Sequence, residues 1–434
     1  MNEVLKPYPA YKDSGVPWLG KIPEHWEVRR LKQICRFAYG DSLVADSRRE
    51  GKVPVFGSNG RVGFHSQANT KSPCIVIGRK GSFGKVNFSA EPVFAIDTTF
   101  FIDSRLTSSN LRWLHYVLGE LRLDQVSKDS AVPGLDREDA YQRLTILSPL
   151  ADQLAIVRFL DYTDRRIRRY IRAKQKLIAL LNEQKQAIIH KAVTRGLPAE
   201  AAVKAGLDPN VRLKPSGIPW LGDVPEHWEV VRMKSIASLR SGDNITALDI
   251  NETGQFAVYG VNGLRGYTDK YTHDGEYVLI GRQGALCGNV NYASGKFWAS
   301  EHAVVATPIQ PYNTLWFGET VRVMNLNQYS ISAAQPGLAV DRIKNLFLPF
   351  PTLSEQHDIA EYIKANTKGI DIGVESAKKQ ISLIKEYRTR LIADVVTGKL
   401  DVREVAARLP LEPEESEPTE EPEPIESSEE NSNA

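Results

Sequence analysis

The sequence predicts an α+β protein made of two mixed α/β domains and two long helices. The first observation is a duplication: residues 14–28 read SGVPWLGKIPEHWEV and residues 216–230 read SGIPWLGDVPEHWEV, identical at 12 of 15 positions with an offset of 202. Solenoid and propeller repeats have periods of about 20–50 residues, so this period indicates a copied domain together with its connector. The second observation is that a long stretch with helical periodicity follows each copy.

The two copies match along most of their length. The matched segments are GSNG at 57–60 with GVNG at 260–263, IGRKG at 77–81 with IGRQG at 280–284, PGL at 133–135 with PGL at 336–338, Gln153 with Gln356, and Thr194 with Thr397. We therefore divide the chain into domain 1 (1–152), connector 1 (153–197), a linker with domain 2 (198–355), connector 2 (356–400) and an acidic tail (401–434).

Each domain alternates short β-rich runs with glycine turns. Strands are predicted for CIVIG, KVNF and FAIDTTFFI in the first copy and for YVLIG, NVNY and WASEHAVVATP in the second, because β-branched and aromatic residues dominate them. A helix is predicted over 109–121. The pattern indicates mixed α/β domains and leaves their topology open.

The connectors predict an antiparallel coiled coil. Residues 153–193 contain neither Gly nor Pro, and Gly196 and Gly398 are natural helix stops. Mostly apolar residues fall on two heptad positions in each connector. In connector 1 the two series are Leu160, Ile167, Lys174, Leu181 and Ile188, and Asp164, Ile171, Ile178, Lys185 and Ala192. In connector 2 they are Ile363, Ile370, Ala377, Ile384 and Leu391, and Val374, Ile381 and Val395. Gly369 and Gly373 weaken the start of the second helix.

The spacing between the domains follows from helix geometry. About 40 residues rising about 1.5 Å each give a rod of roughly 60 Å. An antiparallel pair returns the chain to the start of the second domain. We expect the two domains at opposite ends of this spacer, related by an approximate two-fold axis.

Composition bounds the class of protein. The chain has 434 residues and a net charge of +2, but residues 409–434 hold ten Glu and no basic residue, which leaves 55 basic against 43 acidic residues elsewhere. The Pro- and Glu-rich tail is predicted to be disordered, and the basic remainder favours a polyanionic partner. No apolar run is long enough for a membrane span and no signal peptide is recognisable, so a cytoplasmic protein is expected.

Catalytic and metal-binding signatures are missing from the sequence. GRKGSFGK at 78–85 lacks the spacing of a phosphate-binding loop, and HWE at 25–27 has no Cys-x-x-Cys to complete a zinc deaminase site. No Asn/Asp-Pro-Pro-aromatic tetrapeptide for adenine methylation occurs, and the three isolated cysteines predict neither a disulfide nor a zinc site. We therefore predict no catalytic residue, no metal ligand and no cofactor in this chain.

The repeated Pro-Glu-His-Trp segment has two interpretations. One is a catalytic histidine, His25 or His227. The other, which we favour, is an anchor at the start of each domain. In that interpretation buried indole rings contribute large apolar area. The rings would be those of Trp18, Trp26, Trp220 and Trp228.

The glycine-flanked loops are the candidate DNA-binding residues. Glycine permits close approach of the backbone, and arginine grips phosphate or pairs with guanine. Arg79 and Arg282 occur in both copies, so they are assigned to phosphate positioning or loop structure. Base discrimination is assigned to positions where the copies differ: Lys80 against Gln283, Ser58 against Val261, Arg61 against Leu264, and Thr98 against His302. The alternative is a plain hairpin turn with a solvated arginine.

The full candidate set takes both arginines and five of the differing positions, and it adds Asn59, Asn262 and Arg265 of the hairpins. It is Asn59, Arg61, Arg79, Lys80, Thr98, Asn262, Arg265, Arg282, Gln283 and His302. Connector 1 is also basic, with Arg158, Arg165, Arg166, Arg168, Arg169, Arg172, Lys174 and Lys176 in its first half. This run is either a solvated helix face or a contact surface for phosphates or an acidic partner.

The domain–helix–domain–helix order, the P-W-L-G-x-x-P-x-H-W segment and Q-x-x-I at each helix start resemble the specificity subunit of type I restriction–modification systems. The resemblance covers nearly the whole chain except the acidic tail. It implies a non-catalytic subunit that reads a split, asymmetric site on double-stranded DNA. It also implies two partner methyltransferase (modification) subunits docked on the helices, and motor–nuclease (restriction) subunits. S-adenosylmethionine, ATP and Mg would be used by these partners.

Two other interpretations stay open at the level of sequence. One is a coiled-coil adaptor whose domains bind proteins without DNA specificity. The other is an enzyme that acts on an acidic substrate. Binding that weakens steeply with salt would indicate DNA, since neutralised phosphates release counterions.

Overall fold

A computed structural model describes residues 5–125, 134–284, 286–330 and 337–410 of the chain. The predicted disorder of residues 411–434 and the matched Pro133 and Pro336 lie outside the described residues. For residues 401–410 the prediction of a disordered tail is wrong, because Arg403–Arg408 form a helix and the apolar side chains of Val402, Ala406 and Leu409 are buried in a core. The chain forms two compact units. Unit 1 contains the residues up to Arg172 and those from Ser382 onward, and unit 2 is Ala173–Ile381.

The α-helices of the described residues include two long ones and several short ones. They are α1 (Leu111–Glu120), α2 (Arg137–Gln142), α3 (Leu150–Arg195), α4 (Ala199–Lys204), α5 (Thr314–Val323), α6 (Val340–Ile343), α7 (Leu353–Val396) and α8 (Arg403–Arg408). The long helices α3 and α7 cover most of the two connectors, each beginning three residues before the predicted start. Each passes from one unit into the other.

Unit 1 holds the first eleven strands. They are β1 (Tyr11–Asp13), β2 (Lys21–Pro23), β3 (Glu27–Arg30), β4 (Ala38–Tyr39), β5 (Val53–Gly57), β6 (Gly60–His65), β7 (Cys74–Gly78), β8 (Val86–Ser89), β9 (Phe94–Ala95), β10 (Thr99–Asp103) and β11 (Leu144–Leu147). The main sheet has the order β4-β10-β7-β8, and a second sheet has the order β6-β5-β9. The pairs β1-β2 and β11-β3 form two-stranded sheets.

Unit 2 repeats this topology with one added strand. Its strands are β12 (Leu213–Pro215), β13 (Asp223–Pro225), β14 (Glu229–Arg232), β15 (Ala237–Ser241), β16 (Phe256–Gly260), β17 (Gly263–Thr268), β18 (His273–Asp274), β19 (Tyr277–Gly281), β20 (Val290–Ala293), β21 (Lys296–Ala299), β22 (Ala303–Pro308) and β23 (Phe347–Phe350). The main sheet is β15-β22-β19-β20, and the second is β17-β16-β21-β18. The fold class predicted from sequence is therefore correct in its domains and helices.

One predicted strand in each copy is in fact two. FAIDTTFFI forms β9 and β10, which lie in different sheets, because β9 pairs in parallel with β5 whereas β10 pairs with β7. The chain turns between them, with the Thr99 amide donating to the Ile96 carbonyl at 2.9 Å. WASEHAVVATP divides in the same way into β21 and β22. The turn in unit 1 carries Thr98, so the error concerns the candidate site directly.

The heptad pattern of the connectors is confirmed by burial. Every residue assigned to a heptad position, including the polar and charged ones, is buried or half-buried. In unit 1, Phe159 and Leu160 share a core with Leu391 and Val395. In unit 2, Val193 shares a core with Ile359 and Ile363, while Lys185 Nζ lies 2.6 Å from Asp371 Oδ1. As residue numbers rise along α3, the numbers of the α7 residues that contact it fall, so the two helices are antiparallel within each unit.

The glycines in connector 2 do not interrupt the helix. α7 runs through Gly369 and Gly373, and a Cβ at Gly373 would lie 3.4 Å from Leu181 Cδ1. Gly373 thus allows close approach of the two helices inside unit 2. The helices end where predicted, at Gly196 and Gly398, both with positive φ.

The start of each long helix is anchored to the repeated segment. In unit 1, Trp26 Nε1 donates to Asp152 Oδ2 at 2.8 Å, and His25 Nε2 lies 2.8 Å from the same oxygen. In unit 2, Trp228 Nε1 and His227 Nε2 reach the Glu355 carboxylate at 2.9 and 3.1 Å. Both indole rings are buried. The histidines therefore orient a carboxylate in the first turn of a helix.

The first tryptophan of each copy does not act as predicted. Trp18 is 43% exposed, and Trp220 is only half-buried at the edge of the unit 2 core. The anchoring prediction is therefore wrong for Trp18. The reason is the turn at Gly15–Gly20, which directs the buried contacts of this segment to Val16 and Leu19 instead.

Replacing Trp26 with Ala is expected to lower the free energy of unfolding of unit 1 by about 3–5 kcal/mol, because a large buried ring is lost and a buried carboxylate loses a donor. Denaturant unfolding followed by circular dichroism measures this. Trp18→Ala is the matched control and is expected to change stability by less than about 1 kcal/mol. Equal effects of the two substitutions would contradict the anchor.

Candidate nucleic-acid interface

Three loops of unit 1 meet at one end of its main sheet. They are the turn between β5 and β6, the loop between β7 and β8, and the turn between β9 and β10. The carbonyl of Thr98 accepts from the amides of Arg79 and Lys80 at 2.8 and 3.2 Å, and from Ser58 Oγ at 2.7 Å. Lys85 Nζ donates to Asn59 Oδ1 at 3.0 Å. The structure thus brings together residues that the sequence separates by up to forty positions.

Not all candidates of unit 1 belong to this cluster. Asn59 and Lys80 are exposed at its surface, and Thr98 is half-buried beneath them. Arg61 lies further along β6, where its guanidinium stands 5.3 Å from the centre of the Phe64 ring. Phe64 is itself 49% exposed. Arg61 therefore extends the basic surface along the hairpin.

Gly78 is the point where the loops touch. A Cβ at this residue would lie 2.2 Å from the Ser82 carbonyl oxygen and 2.9 Å from that of Ser58. In unit 2, a Cβ at Gly281 would lie 2.9 Å from the carbonyl oxygens of Val261 and Leu286. These glycines are required because backbone approaches backbone from two sides.

The corresponding loops of unit 2 meet in the same way. The Arg282 amide donates to the His302 carbonyl at 2.8 Å, as the Arg79 amide does to Thr98. Gln283 Oε1 lies 3.0 Å from His302 Nδ1, and His302 Nε2 lies 3.0 Å from Glu301 Oε1. The pairing of Thr98 with His302 made from sequence is thus correct in the fold. Gln283 and His302 form one polar group where unit 1 has Lys80 and Thr98.

The two remaining candidates of unit 2 lie on the β16–β17 hairpin. Asn262 is exposed in the turn. The side chain of Arg265 crosses Gly260, where a Cβ would lie 2.5 Å from Arg265 Cδ. The same place in unit 1 is taken by Val62 against Gly57. Unit 2 therefore carries its hairpin arginine on a different position from Arg61 of unit 1.

Arg79 is held by aromatic rings that the sequence reasoning missed. Its guanidinium lies 4.9 Å from the centre of the Tyr39 ring and 5.8 Å from that of Phe100, and Nη1 donates to the Asp97 carbonyl at 3.3 Å. Arg137 stands 5.1 Å from the centre of the same Tyr39 ring. Two guanidinium groups thus flank an exposed tyrosine, each attracted to its π-system.

Among the described residues of unit 2, no aromatic stack equivalent to that of Arg79 is found at Arg282. Strand pairing aligns Tyr39 with Ser241 and Phe100 with Val304, since each pair is opposed in the β4–β10 and β15–β22 ladders. The two arginines share a motif but differ in their surroundings. The sequence already indicates this difference, because YGD at 39–41 aligns with SGD at 241–243, so the tyrosine of the first copy is a serine in the second.

The basic run on α3 is partly used inside unit 1. Asp164, which is 6% exposed, accepts from Arg168 at 2.7 Å and from Arg388 of α7. Arg158 donates to the Leu409 carbonyl. Several of the other basic side chains, among them Arg166 and Arg172, are exposed. The run is therefore neither a uniformly solvated face nor a free contact surface.

The described residues contain no group of three or more His, Cys, Asp or Glu that could hold a metal ion. The thiols are poor nucleophiles, because burial raises the pKa of Cys35 to about 12 and raises the pKa of Cys74 and Cys287 as well. Over the same ranges of the chain, none of the helices combines the length and apolar character that a bilayer crossing needs.

Comparison with known proteins identifies two copies of one domain. The family model "Type I restriction modification DNA specificity domain" matches residues 23–177 and 225–382. The EcoprrI type I restriction enzyme specificity subunit of Escherichia coli is 45% identical over 129 residues, which is 29% of this chain and 32% of that relative. The match thus spans about a third of that relative's length.

Two further comparisons extend over most of the chain. The MjaVIII type I restriction enzyme specificity subunit of Methanocaldococcus jannaschii is 22% identical over 427 residues, covering 88% of this chain and 95% of that protein. A solved chain from work on complex assembly and conformational transition of the type I R-M system has a TM-score of 0.61 at 13% identity, covering 87% of this chain and 99% of that one. The structural likeness concerns the fold.

Gly78→Ala is expected to destabilise unit 1 by about 2–4 kcal/mol, because a methyl group would overlap two backbone carbonyls that cannot move independently. Thermal unfolding monitors the change. Gly119→Ala, in α1 with nothing within 4 Å of the added Cβ, is the control and is expected to be neutral or stabilising by up to about 1 kcal/mol. A Gly78→Ala protein as stable as the control would refute the loop packing.

Proposed function

Because the chain belongs to the type I restriction–modification DNA specificity family, we propose that each unit reads one half of a bipartite, asymmetric DNA site. The two long helices set the gap between the half-sites. The chain is non-catalytic in this proposal. Methyltransferase subunits that use S-adenosylmethionine modify the site, and motor–nuclease subunits that use ATP and Mg cleave DNA.

One observation carries this proposal: the same three-loop cluster occurs twice with different side chains. The Arg79 amide donates to the Thr98 carbonyl as the Arg282 amide does to the His302 carbonyl. By contrast, Lys80 is aligned with Gln283 and Arg61 with Leu264. A lysine and a glutamine present different donors and acceptors to base edges in the major groove. Equal scaffolds with unequal surfaces are what two different half-sites require.

The shared arginines take a different part in this proposal. Arg79 and Arg282 contact phosphates and position each unit on the duplex, which carries little sequence information. The aromatic stack holds Arg79 in place, so less side-chain entropy is lost when it binds. The contact of unit 1 with phosphate is therefore expected to be the stronger of the two.

The long helices are suited to docking partner subunits. Leu177 and Leu180 on α3, and Ile372 and Leu383 on α7, are 41–61% exposed. Large apolar side chains on a helix surface are favourable contacts for another helix. We assign these positions to the methyltransferase subunits.

We expect Arg79→Ala to weaken binding to all DNA sequences and to reduce the slope of log K against log salt by about one. Lys80→Ala should instead relax base preference in one half-site by about 1–3 kcal/mol per affected base pair. Selection from a random DNA library, followed by titration at several salt concentrations, separates the two effects. Gln283→Ala is the matched variant and should alter the other half-site only.

The same titration separates the proposal from the adaptor interpretation. Affinity should fall steeply as salt rises if phosphates are neutralised. An affinity for DNA that ignores salt, or base preferences altered by Arg79→Ala and untouched by Lys80→Ala, would contradict the assignment.

Inserting seven residues into each long helix, between residues 172 and 173 and between 381 and 382, should lengthen the gap without changing either half-site. Seven residues preserve the heptad register and add about 10 Å, close to three base pairs. Mapping the methylated sites of a cell that carries the variant and its methyltransferase measures both properties. A changed half-site sequence would contradict the spacer role.

A further inference from the structure

A cavity of about 510 Å³ lies beside the anchor of α7 in unit 2. Its walls come from the end of α3, the segment before β12, and the repeated segment. The lining includes Gly196, Asn210, Arg212, His227 and Glu355. This volume is in the range of ligand-binding pockets. The Glu355 carboxylate, which accepts from His227 and Trp228, forms part of the wall.

The same place in unit 1 is filled by side chains of the chain itself. Tyr8 is 3% exposed, with its ring centre 5.7 Å from that of His25 and 5.5 Å from that of Trp26. Arg403 covers the other side, with its guanidinium 4.8 Å from the Tyr8 ring and 4.0 Å from Asp152. An aromatic ring therefore completes the anchor of α3.

The duplication identifies which residues are replaced in unit 2. The strands β1 and β12 pair with β2 and β13 in the same register, Lys12 with Ile22 and Lys214 with Val224. Counting back four residues from Lys12 and from Lys214 aligns Tyr8 with Asn210. The short helices α8 and α4 begin with Arg403 and Ala199, and each buries one alanine, Ala406 or Ala202. Two large side chains of unit 1 are thus replaced by Asn210 and Ala199.

The exposure of Asn210 is the counterpart of the burial of Tyr8. Asn210 is exposed where it lines the cavity, and its backbone amide donates to Asp208 Oδ1 at 2.8 Å. The backbone path beside the anchor is kept, since the Glu226 amide donates to the Arg212 carbonyl as the Glu24 amide does to Ala10. The space that Tyr8 and Arg403 fill in unit 1 is therefore open in unit 2, although the backbone beside it follows the same path.

We infer that this cavity receives an aromatic side chain, of the size of tyrosine, from a partner protein. The occupant of the sister site is a tyrosine on a polypeptide segment, which argues for a protein partner. The exposed charged residues of the lining, Arg195, Arg212 and Glu226, would hold the segment that carries the ring. The inference rests on the proposed function in one respect, namely that the partner is a methyltransferase subunit. Unit 2 would then have a docking pocket that unit 1 closes with its own Tyr8.

A first experiment uses p-cresol, the side-chain analogue of tyrosine, as the probe on the full chain. Saturation-transfer NMR should detect binding to the wild type and at least a tenfold weaker signal with Asn210→Tyr, which restores the ring of unit 1. Glu252→Tyr, which adds the same ring at an exposed position of unit 2, is the control and should bind as the wild type does. Equal signals from wild type and Asn210→Tyr, or none from the wild type, would overturn the inference.

A second experiment addresses the partner. Assembly with the methyltransferase subunit, measured by titration, should be at least tenfold weaker for Asn210→Tyr than for wild type and Glu252→Tyr, with half-site selection by DNA unchanged. Equal assembly of all three proteins would reject the docking pocket and leave the proposed function intact. A wild type that neither assembles nor selects DNA would instead reject the proposed function.

Discussion

The first turn of each long helix is the constraint on which both units depend. An acidic residue there, Asp152 or Glu355, accepts from the buried indole of the repeated segment. The next residue, Gln153 or Gln356, accepts from the backbone amide that precedes α1 or α5 and donates to the carbonyl of Ser148 or Pro351. Two adjacent polar side chains thus join helix, segment and domain. Because these groups are buried, losing any one partner leaves a desolvated polar atom, and the geometry is strongly specified.

This anchor explains how the copies diverge in surface without diverging in fold. The contacts that orient a helix against its domain involve residues repeated in both units. The loops that carry the candidate DNA contacts lie at one end of the main sheet and are held mainly by backbone hydrogen bonds to Thr98 or His302. Backbone contacts tolerate a change of side chain. Lys80 can therefore become Gln283 at little cost to either unit.

Much of this arrangement can be predicted from the sequence, and the limits have physical causes. The heptads of α3 and α7 were predictable because helical burial has a fixed period, and the correspondence between the loops of the two units because duplication marks equivalent positions. The meeting of three loops at one carbonyl was not predicted, because the topology stayed open. The division of FAIDTTFFI was not, since a continuous β-rich run does not reveal a change of sheet. Two contacts were missed, that of Trp26 with Asp152 and that of Tyr39 with Arg137. In each contact the two residues are about a hundred positions apart in sequence. The difference between Tyr8 and Asn210 was not predicted, because both residues precede the segment that matches between the two copies.

The two arginines of the repeated loop show that identity of sequence is not identity of electrostatics. Arg79 is fixed between Tyr39 and a carbonyl, and a second guanidinium on the same ring raises the local positive potential. In unit 2, the positions aligned with Tyr39 and Phe100 are Ser241 and Val304, which offer no π-system. A guanidinium that is already ordered loses less entropy when it meets a phosphate, and two neighbouring cations attract polyanions at longer range. The two units therefore differ in the residues that surround the shared arginine as well as in the residues next to it in the loop.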